Sequence, residues 1–183
     1  SMAKASLPFT LFIEPHLINN GPNNMQWEDI KTLHNNGVEI GISSTPKNIV
    51  SAIKLYKNNL SLDPISYQYK LGIWSKEEMQ ILKENEIKIA FGDNSGPVSL
   101  RMNIYKLPRF NISGKFSNIE RLKIVLETLP LEVSKILPDT NTLISNPPLY
   151  GFTLLHKDQN PKCYTNNNNE AEVITVNENR IEV

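Results

Sequence analysis

Met25-Gln26-Trp27-Glu28-Asp29-Ile30-Lys31-Thr32-Leu33-His34-Asn35-Asn36-Gly37-Val38-Glu39-Ile40-Gly41-Ile42-Ser43-Ser44 reads as a helix, a glycine stop and a short buried strand. Trp27, Ile30, Leu33 and His34 recur at i, i+3, i+6 and i+7, which lays one stripe along a helix. Asn24 is placed to cap the start of that helix and Gly37 to end it. Val38-Glu39-Ile40-Gly41-Ile42 follows as a strand.

The same alternation continues on both sides. Leu7-Pro8-Phe9-Thr10-Leu11-Phe12-Ile13 is a short apolar run that fits a strand buried on both faces. Residues 46–59 read as a helix with Ile49, Ile53 and Tyr56 on one face, and residues 65–69 as a third strand. Ser75-Lys76-Glu77-Glu78 has the spacing of a capping box, and Met79 and Leu82 continue the helix it starts. Residues 87–92 form a fourth strand candidate. Strands alternating with helices predict an α/β fold with a mainly parallel sheet. The right-handed crossover rule restricts this to a doubly wound sheet or a barrel, and the units present are too few for a complete eight-fold barrel.

The last third changes character. Residues 117–129 predict one helix, with Ile119, Leu122, Val125, Leu126 and Leu129 on a shared face. Prolines then fall at 130, 138, 147, 148 and 161. Residues 151–155 and 172–176 read as strands, Asn166 to Asn169 as an exposed hairpin loop between them, and residues 180–183 as an edge strand. The chain thus divides into an α/β domain over residues 7–137 and a β-rich extension over 138–183.

With 183 residues the chain can bury a real core, although its hydrophobic content is only 39%. Basic and acidic residues balance at 19 each, so nothing supplies the basic field that nucleic-acid binding needs. No apolar run approaches a membrane span, and no basic segment followed by an apolar stretch marks a signal peptide. Cys163, the one cysteine, excludes an internal disulfide and argues against a thiolate metal site. A lone thiol fixes neither compartment nor assembly state.

Four segments, in order, resemble the polysaccharide deacetylases (carbohydrate esterase family four). Phe9-Thr10-Leu11-Phe12-Ile13 resembles that family's A-T-F-F strand, and Met25 to Ile40 its W-x-x-(I/L)-K-x-L-x-x-x-G-x-E-I block. Tyr67-Gln68-Tyr69 is similar to its Y-P-Y-G segment, and residues 84–92 to a helix end followed by a strand. The match covers roughly residues 7–95. Pro108-Arg109 and Gly151-Phe152-Thr153 are similar to segments in the tails of some divergent members. The resemblance implies a partial or deformed (β/α) barrel. It implies a divalent metal, usually zinc, at the C-terminal strand ends and hydrolysis of N-acetyl groups on amino-sugar polymers. Such proteins are often extracytoplasmic or belong to the cell envelope.

The departures fall on the chemistry. The family takes a general base and a metal ligand from a T-F-D-D-G strand, whose place would be upstream of Leu7. Its two metal-binding histidines correspond to Ser43 and Lys47, a poor zinc ligand and a cation. The proline and glycine of Y-P-Y-G correspond to Gln68 and Lys70. The expectation is therefore a deacetylase-like domain with no catalytic residue, no metal site and no cofactor of its own. It would retain binding of an amino-sugar polysaccharide or association with a partner, with Glu14, His16, Ser43, Lys47 and Tyr69 lining the groove. An active enzyme whose Asp-Asp motif lies upstream, and a scaffold built on the tail, are the alternatives.

Other candidates have simpler readings. His34 reads as a half-buried packing or hydrogen-bonding residue, and Leu154-Leu155-His156-Lys157-Asp158 as a coincidental match to the family's L-x-H-D motif. Cys163 reads as a packed or surface thiol, since nothing beside it would stabilise a thiolate. Residues 92–97 read as a turn, and Ser44 or Thr45 as helix caps.

Overall fold

A computed structural model describes residues 6–139, 145–157, 159–165, 167 and 169–183. Among these, the strands form two sheets.

The first sheet is parallel. Strands β1 (Thr10–Ile13), β2 (Glu39–Ser44), β3 (Ser66–Tyr69) and β4 (Ile89–Phe91) lie side by side in sequence order. Helices α1 (Trp27–Asn35), α2 (Ile49–Leu60) and α3 (Lys76–Glu84) make the three crossovers. Ile13 pairs with Ile42, Ile42 with Tyr67, and Tyr67 with Ala90, so the register brings the C-terminal strand ends level. The order never reverses, so the sheet lacks the switch point of a doubly wound fold. Each strand is added beside the one before it. Beyond β4 the sheet gains one more parallel bridge, Phe91 to Leu107, with the Gly92 amide donating to the Leu107 carbonyl at 2.9 Å.

The core lies between this sheet and its helices. Ile30, Ile42, Ile49, Ala52, Tyr67, Tyr69, Leu82, Ile87 and Ala90 have no exposed surface. α1 starts two residues later than expected. Gln26, not Asn24, is its cap, and the Asp29 carboxylate accepts from the Gln26 amide at 3.0 Å to close a capping box. Trp27 and Ile30 carry its buried stripe, whereas His34, expected to be half-buried at the end of that stripe, is exposed. Gly37 ends the helix at φ +85°, a left-handed backbone that favours glycine. α2 docks through Tyr56, whose hydroxyl donates to the Ile40 carbonyl at 2.9 Å. Burial, with Glu39 nearby, pushes that phenol up to about 12. β1 is only partly buried, contrary to the expectation of a strand covered on both faces, because it stands at the sheet edge.

The second sheet is antiparallel, in the order β5 (Val133–Leu137), β6 (Gly151–Leu154), β8 (Arg180–Glu182), β7 (Ile174–Val176). β5 carries no clear sequence signal, and it lies ahead of position 138. The residue 180–183 segment is not an edge: β8 sits between β6 and β7. Phe152, Leu154 and Ile181 form its small buried cluster, with Val133, Cys163 and Val173 packed on it. Tyr164 bridges Glu170 in antiparallel fashion, while Asn166 and Asn168 of the expected hairpin loop, like Asp158 of the L-x-H-D match, lie outside the described residues. The helix expected over 117–129 forms as α4 (Ile119–Glu127), yet its apolar face is not buried. Leu126 is 76% exposed and Leu129, just past its end, 85%.

Candidate functional site

In a parallel sheet every strand delivers its last residue to the same rim, and the loops after those residues form the site. Here β1 ends at Ile13 and passes through Glu14 into a 3-10 turn, Pro15–Leu17. β2 passes through Thr45 into a second such turn, Pro46–Asn48, and β3 into a third, Lys70–Gly72. The proline opening the first two turns suits a fixed φ and a missing amide proton at a helix start. The rim therefore carries Glu14 and His16 from β1, Ser43, Ser44 and Lys47 from β2, Lys70 from β3, and Asp93 from β4.

The structure brings part of this set together. Lys70 Nζ lies 2.8 Å from Glu14 Oε2, joining the β1 and β3 ends across the β2 end between them. Both side chains are partly exposed, so the pair positions the loops more than it stabilises the fold. His16 Nε2 lies 3.0 Å from Ser51 Oγ on α2, and that hydroxyl donates to the Asn48 carbonyl. Lys47 stands exposed on its turn. Ser43 is buried within β2. Tyr69 is 0% exposed and donates its hydroxyl to the Tyr105 carbonyl at 2.8 Å. It therefore supports the rim from beneath, and its ring has no face toward solvent.

Three rim features escaped the sequence reading. Lys70 appears there only as the residue replacing a glycine, and 56 positions separate it from Glu14. Arg109 reaches back to Asp93 at 3.1 Å and ties the segment after Leu107 to the end of β4. Gly72 sits at φ +70°, and a Cβ there would lie 2.1 Å from the Asp93 Cβ, so only glycine lets the β3 and β4 loops meet. Sequence offers no local signal for any of these long-range contacts.

Beneath the rim lies a buried acid. Glu78, the third residue of α3, is 3% exposed. Its amide donates to Ser75 Oγ at 3.0 Å, as the capping-box spacing predicts. Its carboxylate lies 3.2 Å from the Tyr67 hydroxyl, which also donates to the Ser44 carbonyl at 2.9 Å. Burial pushes the Glu78 carboxyl up to about 6, against the pull of hydrogen bonds from Tyr67 and the Ser75 backbone. Burial, and then the charge of Glu78, push the Tyr67 phenol upward too.

The donors at this rim do not fit a zinc ion. Among the described residues no three His, Cys, Asp or Glu side chains stand close enough to share a metal. Glu14 is held by a lysine and His16 by a serine, and the other polar groups from β2 are hydroxyls and an ammonium. The rim can offer hydrogen bonds and mixed charge to a polar ligand.

The fold has solved relatives. The Streptococcus pyogenes deacetylase PplD, in complex with acetate, superposes with a TM-score of 0.62 at 17% identity, over 69% of this chain and 62% of that one. IcaB from Ammonifex degensii superposes at 0.52 with 13% identity, over 68% of this chain and 63% of that one. The chain has a polysaccharide deacetylase fold. The resemblance carried by residues 25–44 is thereby borne out for the architecture. The superposition spans under two thirds of the length of either relative. No protein-family model matches the sequence, and no curated protein is detectably similar to it.

Proposed function

We propose that this deacetylase-like domain binds an amino-sugar polysaccharide at the strand-end rim and does not itself carry out metal-dependent removal of N-acetyl groups. The supporting observation is the rim's charge arrangement. A Lys70–Glu14 pair spans the β2 end, and Ser43 and Lys47 stand where the resemblance would put imidazoles. An ammonium repels a divalent cation, and a paired carboxylate is a weakened ligand. Without a bound metal the rim has no means of lowering the pKa of a water molecule. What remains is recognition. Glu14, His16, Lys47 and Lys70 present donors and acceptors to sugar hydroxyl and amide groups, with buried Ser43 and Tyr69 fixing the loops that carry them.

Metal analysis by mass spectrometry, acetate release from a chitooligosaccharide, and calorimetric titration of that oligosaccharide together test this reading. The expected result is less than stoichiometric zinc, no acetate, and binding weakened by Lys47→Ala or Glu14→Gln. Stoichiometric zinc with acetate release would establish the enzyme reading. Absence of binding with a discrete dimer in solution would favour the scaffold.

A further inference from the structure

Between the two sheets lies a cleft of about 500 Å³, a volume suited to a small molecule. One side comes from the segments following β3 and β4, the other from β5 and the residue before β6. Its surface is largely apolar. Leu131, Ile136 and Tyr150 line it and are 40%, 44% and 48% exposed. Large side chains left half open around a concavity, rather than scattered singly, mark a binding surface.

The polar groups of the cleft differ in how fully they are occupied. Glu132 is saturated: it accepts from the Ser99 hydroxyl at 2.9 Å, lies 3.1 Å from His156 Nε2 and 3.5 Å from Arg101 Nε. Asp139, at the neighbouring edge, is held by Lys76 at 2.7 Å. Lys106 makes no ion pair with a described carboxylate, but it stands near enough to Asp139 for its charge, after that of Lys76, to help hold that carboxyl below its ordinary range. Its ammonium rests 4.7 Å from the centroid of the Trp74 ring, held in place by the indole face. An apolar concavity with one positioned cation that no described carboxylate contacts directly is complementary to an apolar body bearing one negative charge.

We propose that this cleft binds an amphiphilic carboxylate: a small molecule whose aromatic or aliphatic body lies against Tyr150, Leu131 and Ile136 while its acid group pairs with Lys106. A neutral sugar chain fits poorly, because its hydroxyls would face Leu131 and Ile136 and lose water without gaining partners. The ligand class is therefore independent of the polysaccharide reading, and either proposal can fail alone.

The test compares 4-phenylbutyrate with the uncharged 4-phenyl-1-butanol, titrated into the full chain and followed by amide chemical shifts. The acid is expected to bind about tenfold tighter than the alcohol, with shifts centred on Trp74, Lys106 and Tyr150. Lys106→Gln should abolish that preference while leaving alcohol binding intact. Tyr150→Ala should weaken both ligands, and Lys47→Gln at the strand-end rim should change neither. Equal affinity for acid and alcohol, a preference that survives Lys106→Gln, or no cleft shifts at millimolar ligand would each overturn the proposal. All three positions are on the surface or at the cleft, so the variants are expected to fold, and an unchanged thermal melt checks that.

Discussion

Glu78 shows how one residue can satisfy a local rule and strain a global one. Its backbone completes the α3 cap by donating to Ser75 Oγ, but its side chain then points inward, where the Tyr67 hydroxyl and the Ser75 backbone are its partners. The Tyr67 hydroxyl has one proton for two acceptors, the Ser44 carbonyl and the Glu78 carboxylate, so ionised Glu78 is poorly satisfied. Its folded pKa of about 6 lies above the ordinary 4.5. A raised acid pKa means that the native state holds more protons than the unfolded state between those values, so stability falls as pH rises through that window. A shift of this size corresponds to at most about 2 kcal/mol. Glu78→Gln keeps the shape and an acceptor for Tyr67 without the charge. It is expected to raise the melting temperature at pH 7.5 by a few degrees and to match the parent below pH 4.5. Thermal melts from pH 4 to pH 8 check this, and a difference that does not vary with pH would show that Glu78 is not the titrating group. The spacing from Ser75 to Glu78 was legible in the sequence; the inward turn of the carboxylate was not, because Tyr67 arrives from a different strand.

At the level of elements, the first sheet depends on how closely its strands approach one another. Phe12 pairs with Gly41 across β1 and β2, and a Cβ on Gly41 would lie 2.6 Å from the Phe12 ring and 2.7 Å from Ser66 Oγ. Ser66 in turn donates to Glu39 at 2.6 Å, so its hydroxyl is not free to retreat, and the Phe12 ring packs edge-on against Phe91 at 5.9 Å. Gly41→Ala is therefore expected to destabilise by about 1–3 kcal/mol through overpacking. That corresponds to a drop of roughly 2–9 °C in melting temperature for a domain of this size. A Phe12→Leu, Gly41→Ala double variant should recover part of the loss if the ring is the obstacle, and no recovery would place the clash at Ser66 instead. The helix, stop and strand over residues 25–44 were legible because each signal is local: a 3.6-residue stripe, a left-handed glycine, a β-branched run. β5 was not, because Val133–Leu137 pairs with Gly151–Leu154 across a proline-rich stretch whose composition reads as loop. The central position of β8 was hidden for a related reason. Alternating residues 180–183 look alike whether one neighbour or two supply the hydrogen bonds, and only the pairing with both β6 and β7 distinguishes them.

Across the whole molecule, the contrast between the two sheets decides where the chain opens first. The parallel sheet and its helices bury a continuous core from Ile13 to Ala90, including Trp27, Tyr56, Tyr67, Tyr69 and Leu82. Among the described residues the buried hydrophobic cluster of the antiparallel sheet is Phe152, Leu154 and Ile181, with three partly covered residues around them. The sequence showed the alternation of strands and helices over the first part and a β-rich character in the last. What it did not show was the connection between the sheets, which depends on contacts such as Ser99 with Glu132 and Lys76 with Asp139, 33 and 63 positions apart. Those contacts are exposed or half-exposed polar bonds, each contributing little. The small sheet should therefore open as a unit below the global unfolding free energy. Amides of β6 and β8 are expected to exchange with solvent faster than those of β2 and β3. Removing the Phe152 ring costs about 3–5 kcal/mol, more than so small a cluster can absorb. Phe152→Ala should then abolish protection throughout β5 to β8 while β2 and β3 keep theirs. The cleft lined by Leu131, Ile136 and Tyr150 would be lost with it, but the rim built on Glu14, Lys47 and Lys70 would survive. Hydrogen exchange read residue by residue checks this, and uniform loss of protection in both sheets would show that the chain unfolds as one cooperative body.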